Sequence, residues 1–203
     1  MKTVVIATNN AHKVAEITTA LDFEGWEFKT LRDLGLASDP DEDADSFEGN
    51  ARIKALAARA AAEAALGRPV AALADDSGLE VDALGGAPGV YSSRYAGADG
   101  DDEANNAKLL RELDGVADAE RTARFVCTLV LVDEDGSEQV ARGTIEGRIG
   151  HEGRGEEGFG YDPLFIPDEF GGRLTLAEVS QDQKNAVSHR GNALRALKAQ
   201  LAG

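Results

Sequence analysis

Apolar positions along the chain fall into short continuous runs, which predict strands, and spaced repeats, which predict helices. Val4–Ala7 is an unbroken apolar run, the mark of a buried strand, and Asn10–Leu21 places Val14, Ile17 and Leu21 at helical spacing. Trp26–Leu31 predicts a second strand, and the acidic stretch Asp39–Asp45, broken by Pro40, a solvated loop. Ala51–Leu66 is dense in Ala with Leu, Lys, Arg and Glu, so it predicts a helix. Ser46 or Asp45 can cap that helix, and Gly67-Arg68-Pro69 ends it.

Val70–Ala74 then predicts a short strand running into Asp75-Asp76-Ser77-Gly78, which has the composition of a turn. Leu79–Leu84 reads as briefly extended, Gly85–Gly89 as a loop, and Asp102–Leu113 as a helix with Leu109, Leu110 and Leu113 on its apolar stripe. Arg121–Val132 is apolar on both faces from Phe125 onward, as a central strand is. Asp133–Ser137 predicts a hairpin turn and Glu138–Ile149 the returning strand. Gly150–Gly160 predicts a mobile or ligand-approaching loop and Pro163–Ile166 a short strand. Leu176–Ser180 and Gln183–Leu201 predict helices. Strands interleaved with helices, with one long hairpin, predict an α/β fold on a mixed sheet, as a single domain over residues 1–203.

Composition narrows the function. No apolar run approaches the roughly 20 residues that span a bilayer, and the N-terminus lacks a signal-peptide pattern, so a cytoplasmic location is expected. The single cysteine, Cys127, excludes an intramolecular disulfide and a cysteine-rich zinc site; its apolar surroundings predict a core residue. A net charge of −16 argues against nucleic acid or an anionic membrane as partner. The same field repels polyphosphate, so a polyphosphate substrate would require a divalent cation and convergence of the few lysines and arginines near the motifs.

Four segments carry candidate chemistry. Thr8-Asn9-Asn10-Ala11-His12-Lys13 joins a strand to a helix N-terminus, whose free N–H groups suit phosphate, although ordinary helix capping has the same composition. Adjacent Asp75 and Asp76 at a strand end are costly unless a cation or donors satisfy them, and oxygen ligands there suit Mg2+. Phe159 between Gly158 and Gly160 lets a ring approach a flat ligand, and is equally a glycine-rich turn with a core aromatic. Lys184, Ser188 and His189 share a helix face by spacing, as base-reading donors or as a solvated basic patch.

In this order and spacing the segments resemble the inosine triphosphate pyrophosphatase family, of the XTP/dITP diphosphatase type. The resemblance runs from Val4 to the last helix. It is carried by Thr8-x-Asn10-x-x-Lys13, Phe47-x-x-Asn50-Ala51-x-x-Lys54-Ala55, Ala74-Asp75-Asp76-Ser77-Gly78-Leu79, Leu84-Gly85-Gly86-Ala87-Pro88-Gly89-Val90-Tyr91-Ser92-x-Arg94-Tyr95, Gly158–Pro163 and Ser188-His189-Arg190-Gly191. It implies Mg2+-assisted hydrolysis of the purine triphosphates ITP, dITP and XTP to monophosphate and pyrophosphate, removing deaminated bases from the nucleotide pool. It also implies an elongated mixed sheet with flanking helices, in two lobes around a central nucleotide-binding cleft, and a homodimer.

By matching position, the resemblance gives the triphosphate to Thr8, Asn9, Asn10, Ala11, His12, Lys13 and Lys54. Asp76 becomes the general base and shares the metal with Glu42, although Asp41 and Asp43 flank Glu42 in a loop of variable length. Ser77, Phe159, Gly160, Tyr161, Asp162, Lys184, His189 and Arg190 become contacts to base and sugar. Donors from Lys184 and the His189–Arg190 segment would favour a 6-keto purine over adenine. Two departures stand out: Asn9 where the family often has Gly, and Gly49 where it often has Glu. Two other readings remain: a related pyrophosphatase for modified pyrimidine nucleotides, and a nucleotide-binding regulator without catalysis.

Overall fold

The computed structural model describes residues 1–8 and 10–202; of His12, Gln181 and Asn185 only the backbone is described. Asn9 therefore lies outside the described residues. Six strands form one sheet in the order β2-β1-β3-β4-β5-β6. They are β1 (Lys2–Ile6), β2 (Trp26–Thr30), β3 (Ala71–Val81), β4 (Thr122–Val132), β5 (Glu138–Ile149) and β6 (Phe165–Pro167). β1 pairs in parallel with both β2 and β3, whereas β5 and β6 are antiparallel, so the sheet is mixed and the α/β expectation holds. The helices are α1 (Ala11–Ala20), α2 (Phe47–Leu66), α3 (Asp102–Glu112), α4 (Gln181–Val187) and α5 (His189–Ala202).

The chain divides into two compact units, one of residues 1–76, 127–143 and 190–203, the other of residues 77–126 and 144–189. In the first unit, period-2 alternation in the strands decides which helix each side chain meets. Val4 and Ile6 of β1 and Ala71 and Leu73 of β3 pack with Ile17 of α1, with Leu21 just after it, and with Leu194 and Leu197 of α5. Their neighbours Val5 and Ala72 pack against Ala58 and Ala62 of α2, and Ala74 against its Ala51 and Ala55. Four small residues on one stripe let α2 lie close to the sheet. Ser46 caps α2 by accepting the Gly49 N–H, and Gly67, at φ +67°, ends it in the left-handed conformation that glycine adopts without strain. Cys127 is fully buried in the first unit's core, as its apolar run predicts.

The second unit builds its own core from Leu79, Val81, Leu109, Leu113, Ile145, Ile149, Leu164 and Phe165. Among the described residues, no helix is long and apolar enough to cross a membrane.

Three local expectations change. Asp75–Gly78 is no turn: β3 continues through it from Ala71 to Val81. Apolar residues on both sides hold the strand, and the carboxylates are met by cations rather than turned out to water. Leu176–Ser180 is not helical; its backbone serves the preceding loop, the Ala177 carbonyl accepting the Glu157 N–H. The last helix is two, because Ser188 separates α4 from α5.

Candidate active site

Parity in β3 sorts the two aspartates. Asp75 follows Ala71 and Leu73 onto the α1/α5 side, and Asp76 follows Ala72 and Ala74 onto the α2 side. Asp75 is almost wholly buried, with Lys13 Nζ of α1 at 2.7 Å and Arg190 Nε of α5 at 3.5 Å. Burial alone would raise the Asp75 pKa; the charges of Lys13 and Arg190 overcome it and hold the carboxyl far below the usual carboxylate range. Arg190 also pairs with Glu16 at 3.1 Å.

Asp76 accepts from Lys54 Nζ at 2.9 Å and from Asn50 Nδ2 at 3.4 Å. The same ammonium donates to Glu42 Oε2 at 2.9 Å, so one cation bridges two carboxylates. Here burial wins: it raises the Asp76 pKa, the Glu42 charge adds to it, and Lys54 and Asn50 oppose it incompletely. Two oxygen ligands with negative charge in excess of the bridging ammonium fit a hard divalent cation, which takes its remaining ligands from water and substrate phosphate. Among the described residues no group of three His, Cys, Asp or Glu is placed to hold a metal ion.

Asn50, which the sequence reading left without a role, is buried and ties this group together. Its Oδ1 accepts the Ala44 N–H at 3.0 Å, two residues beyond Glu42, while its Nδ2 reaches Asp76. The available signal was a polar residue one turn before Lys54 on a helix face otherwise lined with alanine.

Thr8 Oγ1 accepts the Asn10 N–H at 3.2 Å, and Asn10 Oδ1 accepts the Lys13 N–H at 3.3 Å, so both side chains shape the entry to α1. Ala11 and His12 form the first positions of that helix, and the His12 side chain lies outside the described ones. Ser77 is a half-buried residue of β3.

In the second unit Phe159 is 73% exposed, the most exposed aromatic ring among the described residues, and Lys184 Nζ stands 4.6 Å from its centroid. Lys184 also pairs with Asp162, whose Oδ2 accepts the Phe159 N–H at 3.0 Å. Gly158 is required here: at φ +83°, a Cβ would lie 2.3 Å from Asp162 Oδ2. Tyr161 and Asp162 are buried supports, the tyrosine hydroxyl donating to the Ser92 carbonyl at 2.8 Å. His189 stacks on Phe125 with ring centroids 5.4 Å apart. The single helix face expected for Lys184, Ser188 and His189 is not found, because the helix breaks between them.

The α/β sheet thus carries paired carboxylates in its third strand, each met by a helix-borne lysine. The chain belongs to the Ham1 family, whose model matches residues 4–200. It is 51% identical to the dITP/XTP pyrophosphatase of an Exiguobacterium species, over 97% of this chain and 95% of that protein. It is 44% identical to that of Bacillus subtilis, over 97% and 96%. Among solved structures, the Staphylococcus aureus Ham1 protein superposes with a TM-score of 0.87 at 40% identity, over 100% of this chain and 99% of that one. The nucleoside-triphosphatase / dITP/XTP pyrophosphatase of Mycobacterium abscessus gives a TM-score of 0.81 at 42% identity, over 98% and 99%.

Proposed function

We propose that this chain is a Mg2+-dependent pyrophosphohydrolase that converts dITP, ITP and XTP to the monophosphate and pyrophosphate. The observation that carries this is the Glu42–Lys54–Asp76 group in a Ham1-family chain with relatives named for that reaction. Glu42 and Asp76 would hold the metal, which supplies charge neutralisation and a Lewis acid at the phosphates. Asp76, kept more basic than an ordinary aspartate, orients the attacking water and takes its proton as the anhydride opens. Lys13 and Lys54, with the amides at the start of α1, take up charge developing on the phosphate oxygens.

The electrostatic balance supports a requirement for a metal. Among the described residues, Lys13, Lys54 and Arg190 face Glu16, Glu42, Asp75 and Asp76, three cations against four carboxylates. Such a group does not attract a triphosphate unaided. In the second unit, exposed Phe159 offers a stacking face and Lys184 a donor for a keto oxygen, which adenine's amino group cannot accept. The reading retains free purine nucleotides rather than nucleic acid as ligands, a cytoplasmic location and a homodimer.

The direct test is pyrophosphate release from dITP, XTP, ATP and dTTP with and without Mg2+. Pyrophosphate from dITP and XTP, with ATP and dTTP turned over at least ~100-fold more slowly, is expected. Release of orthophosphate and a nucleoside diphosphate instead would refute the scheme.

A further inference from the structure

The Phe159 ring is exposed and its loop is rich in glycine, yet the loop is anchored by residues outside the proposed site. Gly160 N–H donates to Asp102 Oδ2 at 2.7 Å, and Gly160 C=O accepts from Asn106 Nδ2 at 2.9 Å. Asp102 and Asn106 lie one turn apart on α3, so a single helix face holds both polar groups of one loop residue. Asp101 caps α3 by accepting the Ala104 N–H, which leaves the Asp102 carboxylate available to the loop. With both groups committed, Gly160 has no backbone donor left for a base.

We infer that Asp102 and Asn106 are positioning residues that fix the Phe159 loop and so set recognition of the purine base; this rests on the reading that Phe159 meets the base. Gly160 sits at φ +61° and a Cβ there meets nothing within 4 Å, so neither sterics nor packing at that residue restrains the loop. Asp162 holds the Phe159 N–H on one side of the ring, so the bonds at Gly160 are what hold the other side before the base arrives. The charge-assisted bond to Asp102 and the Asn106 carboxamide order the loop beforehand on a rigid element. Losing either one weakens base binding and leaves the phosphate chemistry of the first unit alone.

The experiment is steady-state pyrophosphate release by the full chain, comparing wild type with D102A, N106A and D102N. The alanine variants should raise KM for dITP about 5- to 20-fold, with kcat within about 3-fold, and should narrow the preference for dITP over dATP. D102N keeps an acceptor oxygen but loses the charge, so its KM should fall between the wild-type and D102A values. Inhibition by inorganic tripolyphosphate with Mg2+, which has no base, should be unchanged in all of them. Wild-type KM in both alanine variants, a D102N protein no better than D102A, or a parallel loss of tripolyphosphate inhibition would each overturn the inference. A wild-type chain that releases no pyrophosphate from dITP would sink the proposed function instead. Amide hydrogen exchange of the wild type provides a check without variants: Gly160 should be protected, and free exchange there overturns the clamp.

Discussion

Asp75 and Asp76 are consecutive in β3, yet they face opposite sides of the sheet and experience opposite shifts in acidity. Asp75 is held ionised by Lys13 and Arg190, whereas Asp76 is buried beside Glu42 and shares Lys54 with it. One is thereby held in a buried ion pair, and the other is the base proposed above.

Asp75→Asn should destabilise the fold. It leaves Lys13 and the largely buried Arg190 facing a neutral amide, and breaking a buried pair costs about 3–5 kcal/mol. Because the folded-state pKa of Asp75 is depressed, its stabilisation is complete above the unfolded value of roughly 3.9 and fades as the pH falls below it. Urea unfolding should therefore show a wide gap between wild type and variant at pH 7 that narrows as the pH falls below about 4. An equal gap at both would contradict the ion-pair account.

Asp76→Asn should do the reverse. The raised pKa of Asp76 means that folding disfavours its ionised form, so stability is lost as the pH rises from the unfolded value through the folded one. Without divalent cations at neutral pH, the variant should melt above wild type while its turnover falls at least ~100-fold, as for loss of a general base. Added Mg2+ should raise the wild-type Tm and leave the variant's nearly unmoved, because only the former keeps both carboxylate ligands. Thermal scans with and without the metal decide this.

Phe159→Ala removes a ring that is 73% exposed, so the fold should lose less than about 0.5 kcal/mol. KM for dITP should rise about tenfold or more, since base–aromatic stacking is worth roughly 1–3 kcal/mol. A drop in melting temperature with an unchanged KM would return Phe159 to the core.

The sequence showed the strands, the alanine stripe of α2 and the four chemical segments because period and composition are local signals. It misread Asp75–Gly78 as a turn, since acidic residues with glycine favour turns unless distant cations meet them, and Lys13 lies 62 residues away in sequence. The division of labour between the aspartates depends on strand parity, which has no meaning in a turn. Asn50 and the α3 residues that hold Gly160 act through contacts between segments distant in sequence, and spacing carries no trace of those.

Gly49 shows how such a contact alters a motif. The resemblance leads to Glu there, but in this chain a Cβ at residue 49 would lie 2.5 Å from Ala44 Cβ and 3.1 Å from Ser46 Oγ. Ala44 cannot easily withdraw, because its N–H is bonded to Asn50 Oδ1, and Glu42 stands two residues before it. Gly49→Ala improves helix propensity by up to ~1 kcal/mol yet pushes the loop that carries the proposed metal ligand. The half-saturating Mg2+ concentration should consequently rise about 10-fold, at the low end of effects from disturbing a ligand's support. In the double variant Ala44→Gly/Gly49→Ala the clash is gone, and the Mg2+ requirement should return toward wild type. Mg2+ titrations of activity on all three proteins measure it; a G49A protein with wild-type metal dependence would show that the Ala44 contact does not position Glu42.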